Sequence, residues 1–302
     1  MQRAVKIRHY IAVMHDMGYS SDAVLEDSGI HPDDLISPTF VINVQQCKKV
    51  VANMIRLSGN QGIGFDVGSR IRMVDFGIFA HAIMSSRTLW HAIDLWARYG
   101  GTLAGMLTDF DLKEDQEDNW SFTIVEISPL GFLYNFCVEE ALTMFLKLGF
   151  TLVGEQPTVR KISLAYPAPS HEAIYRKHFS RPIEFNAETT SIWFNTPALH
   201  QPLQTNDDEL NEVCQARCRQ IMNQISNESP TSIRLRELLL KSSLPLLTLS
   251  EAAEKMSMSS RNLRRQLECE HTTYRNIVNE LRVELAKEYL RSGEFEAKEI
   301  SY

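Results

Sequence analysis

A short cationic segment of the sequence carries side chains suited to hydrogen bonding with nucleic-acid bases. Residues 255–266 contain one lysine, three arginines and no acidic residue. An arginine such as Arg261, Arg264 or Arg265 can bridge O6 and N7 of guanine in the major groove, and Asn262 can pair with adenine in a similar way. The chemistry that this segment indicates is recognition of DNA, not covalent catalysis.

The residues just before this segment predict the first helix of a helix-turn-helix. That helix begins at a Thr248 or Ser250 cap and exposes Glu251 and Glu254 to solvent. Its apolar residues are expected in the core: Leu249, Ala252, Ala253 and Met256. Since two of these are alanines, a second helix can cross close to the first.

The cationic residues themselves lie on the predicted second helix. Ser259 is its expected N-cap, and Leu263 and Leu267 turn inward at i and i+4. The outward positions are Ser260, Arg261, Asn262, Arg264 and Arg265. Hydroxyl groups and backbone N–H groups at a helix start can hold phosphate, while the first turns of a recognition helix face the base edges.

A solvated basic helix is the simpler interpretation of three arginines taken alone. The capped first helix, its small residues, the short turn and the capped basic helix together favour DNA binding. The charge distribution agrees, because residues 230–302 hold 12 basic and 11 acidic residues, whereas residues 1–229 hold 19 and 27. The net charge of −7 excludes a chain that coats nucleic acid over its whole surface.

The 302 residues are enough for two domains, and the composition is that of a globular protein. The pattern predicts an α+β fold, with a helical and antiparallel-sheet domain at residues 1–205 and an all-α domain at residues 230–302. Residues 206–229 are expected to form a helix and a linker between the two domains, and the helix is expected to end at the linker Asn227–Pro230. Five scattered cysteines, no signal sequence and no long apolar run predict a cytoplasmic protein that does not enter a membrane.

Several elements of the first domain can be placed from periodicity. The strands are expected at Leu103–Leu112, Trp120–Ile127, Lys161–Tyr166 and Ser191–Asn195. The helices are expected at Val5–Met17, Ser21–Ser28, Ile42–Leu57, Leu89–Tyr99, Phe136–Leu148 and Ser170–Phe179. A serine at 85 or 86 is the expected N-cap of the helix Leu89–Tyr99, and Gly100 is expected to end that helix. Gly149 is expected to end the helix Phe136–Leu148.

An aromatic-rich stretch of the same domain has two interpretations. Its members could line an effector pocket, whose walls are typically apolar with a few polar anchors. The candidates are Phe76, Phe79, His81, Trp90, His91 and Trp96. Ordinary core packing with satisfied histidines is the other interpretation, and the one that the sequence favours.

The helix predicted at Glu209–Ile225 carries an apolar stripe that could pair two chains. The stripe consists of Leu210, Cys214, Ile221 and Ile225, with Arg217 interrupting it. Cys214 and Cys218, four residues apart, could also form a metal or redox site, but no histidine or carboxylate at ligand spacing accompanies them. Two cysteines on a buried helix face are the more ordinary interpretation.

Enzyme function finds no support in the sequence, since it contains no nucleophile elbow, P-loop or dinucleotide fingerprint. Gly62 and Gly64 have no third glycine in register, so no cofactor is expected. Two classes of function remain. One is a ligand-responsive DNA-binding protein, and the other is a sensor or interaction protein whose helical tail does not bind DNA productively.

The segment Leu249–Tyr302 resembles the DNA-binding domain of AraC/XylS-type bacterial transcription regulators. Segments Gly59–Tyr99, Ile162–Pro169 and Tyr175–Leu203 resemble the arabinose-binding-type N-terminal domain of one AraC subgroup. The resemblance implies an unidentified small-molecule effector, duplex DNA and RNA polymerase as partners, and a homodimer. It also implies that Arg261, Arg264 and Arg265 contact bases.

The resemblance departs from the family pattern in two places. His271 replaces a glycine that is usual before the linker helix, here Tyr274–Leu290, so His271 is expected to adopt a positive φ. Glu299–Tyr302 matches only the opening of the second helix-turn-helix, whose recognition helix is absent from this sequence. This chain alone is therefore expected to bind its operator poorly.

Overall fold

The computed structural model describes residues 1–59, 62–114, 119–154, 159–179, 181–195, 199–228, 230–242 and 246–292. The chain forms two compact units. Gln2–Glu126 and Leu133–Met222 form one, called here the N-terminal unit, and Met1, Ile127–Phe132 and Asn223–Tyr302 form the other, called the C-terminal unit. The predicted α+β class is confirmed, with the sheet in the N-terminal unit and helices in the C-terminal unit.

Helices make up most of the N-terminal unit. They are α1 (Val5–Asp16), α2 (Ser21–Leu25), α3 (Val44–Ser58), α4 (Ile63–Arg70), α5 (Ile78–Met84), α6 (Leu89–Leu103), α7 (Tyr134–Val153), α8 (Glu172–His178) and most of α9 (Asp208–Glu228). Short 3-10 turns of this unit occur at Pro32–Ile36 and Met73–Phe76, and a third, Gly131–Leu133, spans the point in the chain where the N-terminal unit resumes. Val5–Met17, Ser21–Ser28 and Ile42–Leu57 were each predicted within about three residues of the observed helix.

The sheet of this unit has the strand order β3-β4-β7-β5-β6, and a separate two-stranded pair joins β1 to β2. The strands are β1 (Gln2–Arg3), β2 (Val41–Ile42), β3 (Thr108–Glu114), β4 (Asn119–Glu126), β5 (Val159–Ser163), β6 (Ile183–Glu184) and β7 (Ser191–Asn195). All pairings are antiparallel except β5 with β6. Leu112 lies opposite Phe122, so the predicted β3–β4 hairpin is confirmed, although its tip at 115–118 lies outside the described residues.

Two glycines allow α4 and α7 to approach closely. A Cβ at Gly64 would lie 2.6 Å from the Phe136 carbonyl oxygen, and a Cβ at Gly68 would lie 2.6 Å from the Glu140 carbonyl oxygen. Both contacts are with backbone, which cannot move aside as a flexible side chain can. Gly64 is therefore a packing residue and not part of a glycine-rich cofactor loop.

Four predicted boundaries in this unit are wrong. Helix α6 continues past Gly100 to Leu103. A Cβ at Gly100 would lie 2.7 Å from Trp96 Nε1, so glycine at this position leaves room for the indole. The strand predicted to begin at Leu103 therefore begins at Thr108. The N-cap of α6 is Thr88, whose hydroxyl accepts from the His91 amide, and not a serine. Similarly, α7 continues through Gly149 and ends at Gly154, which has φ +79°.

The C-terminal unit contains the end of α9, followed by α10 (Thr231–Lys241), α11 (Leu249–Lys255), α12 (Ser260–Cys269) and α13 (Tyr274–Ser292). One buried cluster holds these four complete helices together, and its members are Leu235, Leu239, Ala252, Ala253, Leu263, Leu267, Ile277, Val278 and Leu281. The predicted break at 227–230 starts too early, because α9 extends to Glu228 and α10 resumes at Thr231. Residues 293–302, with the predicted start of a second motif, lie outside the described residues.

Candidate nucleic-acid interface

Helices α11 and α12 form the predicted helix-turn-helix with defined caps. The Thr248 hydroxyl accepts from the Glu251 amide, and the Glu251 carboxylate accepts from the Thr248 amide, which completes a capping box. Thr248 is therefore the cap, and not Ser250. These hydrogen bonds lower the pKa of the Glu251 carboxyl. Ser259 caps α12 as predicted, since its Oγ accepts from the Asn262 amide at 3.2 Å.

The predicted inward and outward faces of α12 are confirmed by burial. Leu263 is fully buried, and Leu267 is 1% exposed, beside Ala252 and Ala253 of α11. Leu249 and Met256, which were also predicted in the core, are only partly buried and pack against its edge. The amphipathic pattern of α12 therefore places all its arginine side chains on the outward face.

The outward face of α12 is an open, solvent-facing surface, called here the α12 groove. Its lining contains five of the six residues predicted to bind DNA and one additional carboxylate: Ser259, Arg261, Asn262, Arg264, Arg265 and Glu268. Ser260, the sixth predicted residue, is the first residue of the helix and is only partly exposed. Arg261, Arg264 and Arg265 are all exposed. The groove is therefore a convergent set of hydrogen-bond donors on one solvent-facing surface.

Two members of the groove are hydrogen-bonded to each other. Asn262 Oδ1 accepts from Arg265 Nη2 at 3.1 Å, so the amide holds the guanidinium in a defined position on the helix. Arg261 and Arg264 form no ion pair with any carboxylate in the described part of the chain. Their donors are therefore available to an external acceptor such as a base edge or a phosphate oxygen.

Sequence reasoning missed Glu268, the one acidic side chain in the lining. It lies at i+4 from Arg264 and i+3 from Arg265, so the helical spacing could have identified it. A carboxylate cannot approach a phosphate without repulsion, but it can accept a hydrogen bond from N4 of cytosine. The groove consequently combines donors and an acceptor.

The turn after α12 has the backbone conformation expected of it. His271 has φ +55°, as its position in place of a glycine predicted. Immediately before it, the Glu270 carboxylate accepts from the amides of Thr231 at 2.6 Å and Ser232 at 2.8 Å, which are the first residues of α10. Burial alone would raise the pKa of this carboxyl. The hydrogen bonds from Ser232 and Thr231 together have a larger, opposite effect, so the pKa lies below its usual value.

The residues predicted to bind an effector do not form one pocket. Phe76 and Phe79 pack on Trp96, with ring centroids 5.1 and 5.3 Å apart, and all three are buried. Trp90 instead packs on Trp120 at 4.4 Å. Trp96 borders an apolar cavity of only about 30 Å³, far below the roughly 300 Å³ of small ligand sites. His81 and His91 lie at the surface.

A larger cleft, which the sequence did not reveal, lies elsewhere in the N-terminal unit. It has a volume of about 340 Å³ and is lined by residues from α4, α7, β5, the end of α8 and the segment that follows α8. The residues come from positions far apart in the chain, so no local pattern identified them. Lys147 and Arg181 are among its lining residues.

Two adjacent buried carboxylates on α7 were also missed. Glu140 pairs with Lys6 at 2.5 Å, and both side chains are 2% exposed. Glu139 accepts from Tyr175 Oη at 2.6 Å and lies 2.6 Å from His171 Nε2, while burial raises its pKa. Since neither carboxylate opens onto the described clefts, this cluster joins α1, α7 and α8 within the core.

The predicted dimer stripe on α9 is mostly covered within one chain. Cys214, Ile221 and Ile225 are buried, and Leu210 is 43% exposed. Cys218 is buried beside Cys214, and the described residues include no group of three or more potential metal ligands. The neighbouring Val213 is 62% exposed, although the predicted stripe did not include it. The apolar surface that α9 presents to solvent is therefore that of Leu210 and Val213.

Comparison with known proteins identifies the class of this chain. Residues 18–203 match the family model described as the arabinose-binding domain of AraC transcription regulators, N-terminal. Since this match covers more than half of the chain, the protein belongs to the AraC family of transcription regulators that carry this N-terminal domain. No helix in the described ranges is long and apolar enough to cross a membrane.

Individual relatives agree with this assignment. The chain is 26% identical over 288 residues to the ornithine utilization regulator of Pseudomonas aeruginosa, a match that covers 95% of this chain and 84% of the relative. It is 25% identical over 297 residues to an uncharacterized HTH-type transcriptional regulator of Mycobacterium tuberculosis, covering 96% and 85%. The crystal structure of the transcriptional regulator CdpR from Pseudomonas aeruginosa has the same fold, with TM-score 0.56, 17% identity, and 100% and 90% coverage.

Proposed function

We propose that this chain binds duplex DNA sequence-specifically through α12 and that a small-molecule effector, bound by the N-terminal domain, controls this binding. The single observation that carries the proposal is the groove on α12, where Arg261, Arg264 and Arg265 converge on one exposed face. A helix about ten residues long, anchored on its other face by Leu263 and Leu267, fits the width of the major groove.

The two ends of α12 have different tasks in this proposal. Ser259 and Ser260 lie at the N-terminus, where free backbone N–H groups and the helix dipole favour phosphate. Arg261, Arg264 and Asn262 occupy the first two turns, which face base edges when a recognition helix lies in the major groove. Arg265, held by Asn262, adds a further donor in a fixed direction.

The remaining partners follow from the family and the fold. Residues 1–205 would bind the effector, residues 206–229 would pair two chains as a homodimer, and residues 230–302 would bind DNA. RNA polymerase would be the partner through which binding affects transcription, and the protein would act in the cytoplasm without catalysing a reaction. The similarity to a regulator of ornithine utilization supports a metabolic effector, but does not name it.

The test is the salt dependence of DNA binding by the intact chain. Fluorescence anisotropy of a labelled mixed-sequence duplex, measured between about 50 and 200 mM salt, should give an affinity that falls linearly on a log–log plot. A triple variant, Arg261→Ala with Arg264→Ala and Arg265→Ala, should bind at least tenfold more weakly and with a shallower slope. Lys177→Ala, which removes an exposed charge of α8, is the matched control and should bind as the wild type does.

The opposite outcome would favour the alternative function. If the wild-type chain and the triple variant gave the same affinity and the same slope, α12 would not be the DNA-binding element. The chain would then fit a sensor or interaction protein whose basic helix is only a solvated face.

A further inference from the structure

The cleft of the N-terminal unit is lined by residues from several elements. Thr143, Lys147 and Phe150 lie at i, i+4 and i+7 on one face of α7. Ile162 of β5, Phe179 after α8, and Arg181 also line the cleft. With a volume of about 340 Å³, the cleft lies at the small end of the range for ligand sites, which is roughly 300–1,000 Å³.

The charge in this cleft has one sign among the residues that the structure describes. Lys147 and Arg181 contribute cationic groups, and the described lining contains no aspartate or glutamate. Lys147 Nζ donates to the carbonyl oxygen of Ser69, which is a neutral acceptor. Its ammonium therefore keeps donors for a further partner, since it carries three in all.

The surroundings of Lys147 make that ammonium unusual for a surface lysine. Burial lowers its pKa, which shows that the charged form is partly desolvated. Asp75 opposes this lowering and Arg72 adds to it, and these two side chains are paired with each other, since Arg72 Nη2 lies 2.7 Å from Asp75 Oδ1. An anion placed in the cleft would therefore meet an ammonium that forms no ion pair among the residues that the structure describes.

Apolar surface accompanies these charges. Phe150 is 50% exposed at the edge of the cleft, while Ile162 and Phe179 form a buried wall behind it. Exposed aromatic surface beside unneutralised cations suits a ligand with one anionic group and an apolar body. A guanidinium and an ammonium that line one cleft can both donate to a carboxylate bound there, and arginine matches that group bidentately.

We propose that this cleft is the effector site and that it takes a small monocarboxylate with an apolar body, whose carboxylate lies between Lys147 and Arg181. The proposal rests on the proposed function only in naming the cleft as the site that controls DNA binding. The apolar body of the ligand lies against Phe150, Ile162 and Phe179, and the small volume excludes large ligands such as dinucleotides.

Binding is tested on the intact chain at neutral pH with three probes that share one apolar body. These are hexanoate, hexan-1-ol and hexylamine, with benzoate as a second carboxylate, all followed by isothermal titration calorimetry. A carboxylate should bind saturably and at least tenfold more tightly than the alcohol and the amine. Inorganic phosphate that competed equally with the carboxylates would overturn the assignment of ligand class, as would a failure of both carboxylates to bind.

Variants locate the site. Lys147→Met keeps the apolar stem and should weaken carboxylate binding at least tenfold, and Arg181→Met should weaken it several-fold. Lys177→Met, which removes an exposed charge outside the cleft, should bind as the wild type does. Arg181 is exposed, so its variant keeps the test valid even where Lys147→Met fails to fold. Undiminished binding by a folded Lys147→Met and by Arg181→Met would place the ligand elsewhere and overturn the proposal.

DNA binding is measured separately, so that the two proposals fail in different ways. Without probe, Lys147→Met should bind duplex DNA as the wild type does, since Lys147 lies outside the α12 groove. A saturating carboxylate should change DNA affinity several-fold for the wild type and not for Lys147→Met. If the chain bound carboxylates but no DNA, the proposed function would be refuted and the cleft assignment would stand. If the chain bound DNA but neither carboxylate, the cleft assignment would be refuted and DNA binding would stand.

Discussion

The Glu270 carboxylate accepts a hydrogen bond from the Thr231 amide at 2.6 Å, although the two residues are 39 positions apart. With the second bond from the Ser232 amide, this side chain satisfies the free N–H groups that begin α10. The negative charge also lies at the positive end of that helix. The turn that follows α12 is thereby tied to the first complete helix of the C-terminal unit.

Glu270→Ala should destabilise this unit by about 1–2 kcal/mol, the usual loss for a helix N-cap. The amides of Thr231 and Ser232 would then lack their carboxylate acceptor. Hydrogen exchange read by mass spectrometry should show reduced protection in α10 and α12. Glu268→Ala, two residues earlier and exposed, should leave protection unchanged; equal losses in both variants would contradict a capping role for Glu270.

The same carboxylate gives a pH dependence with a definite sign. Its folded-state pKa is below the ordinary value of 4.5, so its contribution to stability is complete above that value and is lost as the pH falls through the lowered folded-state pKa. The difference in protection between wild type and Glu270→Ala should therefore be full at pH 6–7 and should shrink below about pH 4. A difference that stayed constant down to about pH 2 would show that the charge of Glu270 is irrelevant.

Gly68→Ala should destabilise the N-terminal unit by roughly 1–3 kcal/mol, because its Cβ would overlap the Glu140 carbonyl oxygen and separate α4 from α7. Ser69→Ala, next along the same helix, leaves the crossing unchanged and should cost about 0.5 kcal/mol or less. Urea unfolding followed by tryptophan fluorescence reports on this unit, since all four tryptophans belong to it. Equal midpoints for the two variants would refute the close-packing role.

The exposed pair on α9 gives a prediction about assembly. Leu210→Glu combined with Val213→Glu should convert a dimer to monomer in sedimentation velocity, because charges would replace the apolar surface available to a partner. Gln224→Glu adds a charge at an exposed polar position of the same helix and should leave the dimer intact. A dimer that survives the double substitution would place the interface on another surface.

Local hydrogen bonds explain which elements of the C-terminal unit could be predicted. Thr248, Ser259 and His271 act within a few residues of their own positions, so the sequence contains the whole signal for the caps and the turn. The α12 faces were equally predictable, since the spacing of Leu263 and Leu267 fixes which arginines point outward. This local information is why five of the six predicted DNA-contacting residues lie together in one groove.

Long-range packing explains what the sequence did not reveal. Gly100 looked like a helix end, but it lies within a continuing helix and leaves room for the indole of Trp96. Gly149 likewise lies inside α7 beside the small apolar cavity. The cleft at Lys147 and Arg181 depends on the way α7 packs against β5, which no local periodicity encodes. The aromatic residues around Trp96 had two interpretations, a pocket lining and the core packing that the sequence favours, and Phe76, Phe79 and Trp96 are buried.

The most direct test of the central claim is the base preference of α12 at the positions that Arg264 reads. The intact wild-type chain and Arg264→Ala are each used to select bound duplexes from a randomised library, and the affinities of the enriched and scrambled sequences are then measured at one salt concentration. Loss of a bidentate contact should cost about 1–3 kcal/mol on the enriched sequence, relax the preference for guanine at one position and leave scrambled DNA much less affected. Equal losses on both duplexes, with an unchanged base preference, would contradict sequence reading by α12.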